Sequence, residues 1–256
     1  MNKKIFLSLV ALLFIGCSTA FDSQGVYHTV RNGENLLWIA KSYGVELQDL
    51  AELNNIQNTQ EKLTAGDRLY IPSKRYNRHK NLPFERHIAQ HIEKEKPTRT
   101  SLRGKKIKEQ DKEKVYTEHT RFIWPIGGAV VSPFGLRHGR RHDGIDIHGD
   151  KGDPIKAADN GKVVFAGTMR GYGNLLLVRH EGNFFTAYAH TQTNLVKEGA
   201  NVRKGQIIAK VGRTGRATGP HLHFEVREGE KARNPLFFLP VRDKSLLQDT
   251  KQSEEE

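Results

Sequence analysis

From Ile123 onward the sequence breaks into short β-rich runs separated by glycine-bearing turns, and this pattern restricts the topology more than any other feature. The runs fall at 130–131, 155–157, 162–167, 175–180, 184–190, 206–211 and 222–227. The breaks at Gly171-Tyr172-Gly173, Glu181-Gly182-Asn183 and Lys204-Gly205 are short and polar. Loops of about two to five residues join antiparallel neighbours, whereas a parallel crossover needs roughly a dozen residues or more. Residues 122–242 are therefore expected to form a mainly β domain built on an antiparallel sheet.

His221-Leu222-His223 leads into the last run, and if the stretch around it is a strand both imidazoles project from one face. Upstream, His142-Asp143-Gly144-Ile145-Asp146 supplies an imidazole and a carboxylate. With one further imidazole these give the three nitrogen and oxygen ligands of an open, catalytic zinc site. The single cysteine, Cys17, excludes both an internal disulfide and a cysteine-built zinc site. No HExxH helix exists, so proton handling at such a metal falls to imidazoles rather than to a glutamate base. Tyr188 precedes His190 by two residues and shares its face if that strand is regular, where it would be either a donor or a packed aromatic. His28, His79, His87, His91, His119 and His180 have no partner at ligand spacing and read as structural.

The N-terminal part has a different rhythm. Lys3 and Lys4 precede an apolar run over 5–15, too short to span a bilayer and of signal-peptide length. Export from the cytoplasm to the cell envelope follows, with residues 1–20 as the signal region. Leu13-Phe14-Ile15-Gly16-Cys17 resembles the lipobox of bacterial lipoproteins, which implies cleavage before Cys17 and membrane anchoring through its acylated side chain. Phe14 stands where leucine is usual, which leaves ordinary cleavage near Ser18–Ala20 open.

Residues 26–72 read as a compact β-α-α-β module: a strand at 27–30, helices at 35–43 and 47–54, and a strand at 68–71. Tyr27-His28-Thr29-Val30, Gly33-Glu34, Trp38-Ile39-Ala40, Leu50, Leu53-Asn54 and Gly66–Pro72 make this segment similar to a LysM domain. That resemblance implies binding to the N-acetylglucosamine-containing glycan of peptidoglycan.

Residues 73–121 are rich in Lys, Arg, Glu, Gln and Thr and lack a sustained apolar period, so they are expected to be a basic, disordered linker, with a short helix near 83–94 allowed. Residues 243–256 form an acidic tail. The net charge of +12 favours anionic surfaces without choosing among them.

Over residues 125–240 the chain resembles lysostaphin/LytM-type zinc endopeptidase domains. The matching segments include Ser132–Arg137, His142–Ile147, Gly171–Asn174, Tyr188-Ala189-His190 and Gly212–Glu225. Carried over position by position, the resemblance makes His142, Asp146 and His223 the ligands of Zn2+, with His190 and His221 as catalytic histidines. His221 is expected to orient or deprotonate the attacking water and His190 to stabilise the oxyanion, roles that are exchangeable at this level. His138 and His148 flank the metal segment, but the family pattern selects His142.

The implied activity is hydrolysis of peptide bonds in peptidoglycan stems or cross-links, with no nucleic-acid partner. The layout also resembles NlpD-like envelope lipoproteins, which implies an alternative as a non-hydrolytic activator with a cell-wall amidase as partner.

Overall fold

The structure, a computed structural model, describes residues 25–57, 63–73, 88–90, 92, 119–137 and 140–242. The expected signal segment with Cys17, most of the linker and the acidic tail lie outside the described residues.

The N-terminal module contains β1 (Val26–Thr29), α1 (Leu36–Tyr43), α2 (Leu47–Leu53) and β2 (Arg68–Ile71), with β1 antiparallel to β2. Asn35 caps α1, its side-chain oxygen accepting from the Trp38 amide at 2.8 Å, and Gly44 closes the helix. Leu36, Ile39 and Ala40 of α1 are buried with Leu47, Leu50 and Ala51 of α2, so each helix lays one stripe on the two-stranded ribbon. Asn54 joins α2 to β2, donating to the Tyr70 carbonyl at 2.9 Å and accepting from its amide at 2.7 Å.

The second unit begins with β3 (Val130–Ser132), β4 (Gly135–Arg137), β5 (Arg140–His142), β6 (Ile145–His148), β7 (Pro154–Lys156), β8 (Gly161–Met169) and β9 (Gly173–Arg179). It continues through β10 (Phe184–Thr191), β11 (Thr193–Asn194), β12 (Asn201–Val202), β13 (Ile207–Lys210), β14 (His221–Glu228) and β15 (Lys231–Arg233). The main sheet runs β12-β8-β9-β10-β14-β6-β3, with β15 also paired to β14, and a smaller sheet runs β11-β13-β7. Every ladder among the described residues is antiparallel, as the short turns require.

The two faces of the main sheet have different chemistry. On one, Leu222, Phe224 and Val226 of β14 join Ile145, Ile147, Leu176, Val178 and Tyr188 in the principal core. Burying each of these large apolar side chains contributes about 1.5–3 kcal/mol. On the other face, His221, His223, Glu225 and Arg227 alternate along the same strand. Farther along this face, Leu175, Leu177, Val164, Phe185, Ala187 and Ala189 form a separate apolar floor, and Ile88 packs on it.

That contact corrects the expectation of a linker without packing. Ile88 is completely buried and Ile92 is partly buried against the same cluster, within the segment where a short helix was allowed. Two isoleucines four residues apart are too few to register as a sustained period, yet they suffice to cover an existing apolar surface.

The two units also touch. Glu52 of α2 is 3% exposed and accepts from Arg233 Nε at 2.8 Å and Nη2 at 2.6 Å. Asn234 adds its side-chain donor to the Glu52 carbonyl at 2.9 Å, and Lys231 pairs with Asp49 and with Glu46.

Candidate metal centre

The centre is assembled by the pairing of β6 with β14 and by the β5–β6 turn. His223 stands opposite Asp146 in the ladder and His221 opposite His148, so Asp146 meets the second histidine of the tripeptide directly. Gly144 lets the β5–β6 turn lie flat on β14, because a Cβ there would fall 2.4 Å from the Phe224 carbonyl oxygen. The turn brings His142 back over Asp146.

His142 Nε2, His223 Nδ1 and Asp146 Oδ1 form a tight triangle. The separations are 3.0 Å between the two nitrogens, 3.0 Å from His142 to Asp146 and 2.8 Å from His223 to Asp146. Among the described residues this is the one group of histidine, cysteine, aspartate or glutamate donors close enough to share a metal ion.

The outer nitrogens establish what the inner ones can do. His142 Nδ1 donates to the Pro133 carbonyl at 2.8 Å, and His223 Nε2 to Glu225 Oε1 at 3.0 Å. These tautomers follow from the hydrogen-bond network. With those outer bonds made, both inward nitrogens can offer lone pairs to a cation set between them and the carboxylate; in its place a proton on His223 Nδ1 bonds Asp146 at 2.8 Å. Imidazole and carboxylate donors suit zinc, and three protein ligands leave a coordination position open.

The electrostatics agree. Burial disfavours a charged His223, but the carboxylates of Asp146 and Glu225 outweigh it and lift its pKa to about 9. Burial likewise opposes an ionised Asp146, and the His142 and His223 hydrogen bonds overcome it, holding the carboxyl well below the usual range. The site therefore keeps His223 protonated against ionised Asp146 and Glu225, and a metal cation at the triangle would take the place of that proton.

His190 and His221 lie beside the triangle. Their ring centroids are 4.8 Å apart, and His190 is 5.8 Å from His223. Each anchors Nδ1 on a carbonyl, His190 to Thr214 at 2.7 Å and His221 to Gly219 at 2.9 Å, which leaves Nε2 of each for the open space. Burial first, then the neighbouring His223 charge, lowers His190 to about 4, so it is neutral at pH 7. His190 has φ 61°, a left-handed conformation, at a break in the β9–β10 register between Ala189 and Thr191. Such a bulge re-aims a side chain.

The same bulge corrects the expectation that Tyr188 and His190 share a face. Tyr188 points into the principal core, where its hydroxyl accepts from the Ala158 amide at 2.8 Å and from Thr186 Oγ1 at 2.9 Å. His148 is exposed and lies outside the triangle, while His180 is buried on the Asn160 carbonyl and Thr186. His28 and His119 also make local contacts, the first with Glu34 and Tyr43, the second with the Leu239 carbonyl. His79, His87, His91 and His138 lie outside the described residues.

Three participants escaped the sequence reading: Glu225, Arg227 and Tyr172. Glu225 Oε1 also accepts from the Tyr172 hydroxyl at 2.8 Å, and its Oε2 from Arg227 Nε at 2.7 Å. The available signal was the alternation His221, His223, Glu225, Arg227, which places all four on one face.

Residues 140–235 match peptidase family M23 and residues 28–72 match the LysM domain. The chain is 32% identical over 250 residues to the uncharacterized lipoprotein YgeR of Escherichia coli strain K12, an alignment covering 94% of this chain and 95% of that protein. It is 47% identical over 120 residues to the murein hydrolase activator NlpD of the same strain, covering 46% of this chain and 31% of NlpD. Among solved structures it is similar to the catalytic domain of the antimicrobial peptidase lysostaphin from Staphylococcus simulans, at 35% identity and a TM-score of 0.39, over 43% of this chain and 87% of that one.

Proposed function

Because the chain belongs to the NlpD/YgeR-type lipoproteins that join a LysM domain to a peptidase family M23 domain, we propose that it is a zinc endopeptidase acting on the peptide part of peptidoglycan. The observation that carries this reading is the convergence of five side chains. His142, Asp146 and His223 make a three-donor cradle, and His190 and His221 stand beside it with free Nε2 atoms.

Zinc held there would lower the pKa of a bound water to about 7 and polarise a substrate carbonyl. The chain's own work is to manage protons and charge around that centre. His221, held by the Gly219 carbonyl and 3.8 Å from Asp146 Oδ1, is placed to take a proton from the attacking water through Nε2. His190 is held neutral by burial and by the neighbouring His223 charge, which together outweigh its Thr214 hydrogen bond. With Nδ1 protonated on the Thr214 carbonyl, it becomes an oxyanion donor when its Nε2 takes up a proton from solvent.

The LysM domain would concentrate the chain on the glycan of the same polymer, raising the local concentration of peptide at the centre. Cys17 at the end of the lipobox-like segment, together with relatives named as lipoproteins, supports anchoring at a membrane of the cell envelope.

The activator reading has its own support in the 47% identity to a protein named a murein hydrolase activator. An activator needs a groove but no metal, and the complete five-residue set favours hydrolysis. The deciding experiment is digestion of purified peptidoglycan by the full chain with zinc, beside His223→Ala, with released muropeptides followed by mass spectrometry. New peptide cleavage that disappears in His223→Ala supports the enzyme. No cleavage by a zinc-loaded chain, with stimulation of an added amidase, supports the activator.

A further inference from the structure

Glu225 is completely buried two residues beyond the tripeptide, and its three hydrogen bonds account for both carboxylate oxygens. Resting on the zinc reading above, we infer that Glu225 is the positioning residue of the centre: it fixes His223 as the Nε2–H tautomer, so that Nδ1 faces the metal.

The geometry is specific. The two metal-facing imidazoles use opposite nitrogens, Nε2 for His142 and Nδ1 for His223. A histidine on a strand is free to present either nitrogen, so something must select. For His142 the selector is the Pro133 carbonyl, and for His223 it is Glu225. A carboxylate accepting from the outer N–H orients the ring and raises the basicity of the inner nitrogen more than a neutral carbonyl does.

Glu225 is itself held on both oxygens. Arg227 bonds Oε2, donates Nη1 to the Glu230 carbonyl at 2.9 Å, and brings Nη2 to 3.5 Å from Asp143 Oδ2. Asp143 directly follows His142 in the chain and also pairs with Arg141. The series of buried His223, Glu225 and Arg227 and partly exposed Asp143 thus links the β14 part of the triangle to the turn that carries His142. Tyr172, whose ring stacks edge-on near His223 at 5.8 Å, closes the remaining side of the carboxylate. A carboxylate needed only to neutralise Arg227 would not have to direct one oxygen at a metal ligand.

The test uses the full chain and zinc affinity measured by competition with a chelator of known strength. Glu225→Gln keeps size and one acceptor oxygen, and its zinc affinity is expected to fall about tenfold; Glu225→Ala is expected to lose about 100-fold. Thermal melts of both apo variants report folding separately. In parallel, 15N-histidine NMR of the zinc-loaded unmodified chain should show the His223 proton on Nε2, a readout that requires no variant to fold. Equal zinc affinity in the unmodified chain and Glu225→Gln, or a His223 proton on Nδ1, overturns the inference while leaving the metal reading intact. Failure of the unmodified chain to take up zinc overturns both.

Discussion

Arg233→Met should uncouple the LysM domain from the peptidase domain. Arg233 is 7% exposed and supplies two of the donors to Glu52 Oε1, so its removal leaves a carboxylate that is 3% exposed with no cation beside it, keeping the neutral donors Gln48 Nε2 at 2.8 Å on Oε1 and the Asn234 amide at 3.2 Å on Oε2. Breaking one side of a buried ion pair costs about 3–5 kcal/mol, because the remaining charge is stranded. Loss of the guanidinium over the Phe238 ring, 5.3 Å from its centroid, adds roughly 0.5–1 kcal/mol.

The stranded Glu52 charge sits at the contact between domains, so the chain can relieve that penalty by undocking rather than unfolding, while the smaller Phe238 term stays within the second unit. Hydrogen exchange in a urea series, read by mass spectrometry over 28–72 and 140–235, follows the two domains separately. In the unmodified chain the two midpoints should coincide. In Arg233→Met the LysM midpoint should fall by roughly 2 M, from about 4 kcal/mol and a urea dependence of about 2 kcal/mol per molar. Glu52→Gln in the Arg233→Met background should restore most of the difference, since no stranded charge remains. Separate midpoints in the unmodified chain, or coincident ones in Arg233→Met, would refute the coupling.

Three further outcomes follow from local geometry. His180 is held to about 4 by burial, below its ordinary 6.5, so the unfolded chain binds its proton more readily. Its contribution is intact above pH 6.5 and falls away as pH drops toward 4, by about 3 kcal/mol in full; the slope of melting temperature against pH should flatten in His180→Gln. Gly173→Ala places a Cβ 2.4 Å from the Thr214 carbonyl carbon at φ 67°, which should cost roughly 2–4 kcal/mol by calorimetry and displace the carbonyl that holds His190. Peptidoglycan cleavage should drop at least tenfold in that variant while zinc affinity stays within about twofold, because the ligands lie on other elements. Asn35→Ala removes the α1 cap and should lower LysM stability by about 1 kcal/mol in the same urea series.

Local pattern made much of this protein legible. Short glycine-bounded runs required antiparallel ladders, and the period of two in His221-Leu222-His223 put both imidazoles on one face. The capped helices of the small domain follow from Asn35 and Gly44. What stayed hidden depended on events the period does not report. The one-residue bulge re-aims His190 off the face of Tyr188, with which a regular strand would have shared it. Glu52 and Arg233 are far apart in sequence and carry no mutual signal. Ile88 and Ile92 become meaningful only once the sheet offers an apolar floor. Glu225 was within reach, since it continues the alternation that singled out His223.

The left-handed backbone at His190 bears on how such a chain could change occupation. Asparagine and aspartate, like histidine, tolerate that conformation better than most residue types. A single exchange to asparagine at this position would keep the bulge, the His142–Asp146–His223 triangle and the docked LysM domain while removing one imidazole from the proposed reaction. Under the proposed function, a cutting protein and one that only grips the wall then stand one substitution apart, with no refolding between them.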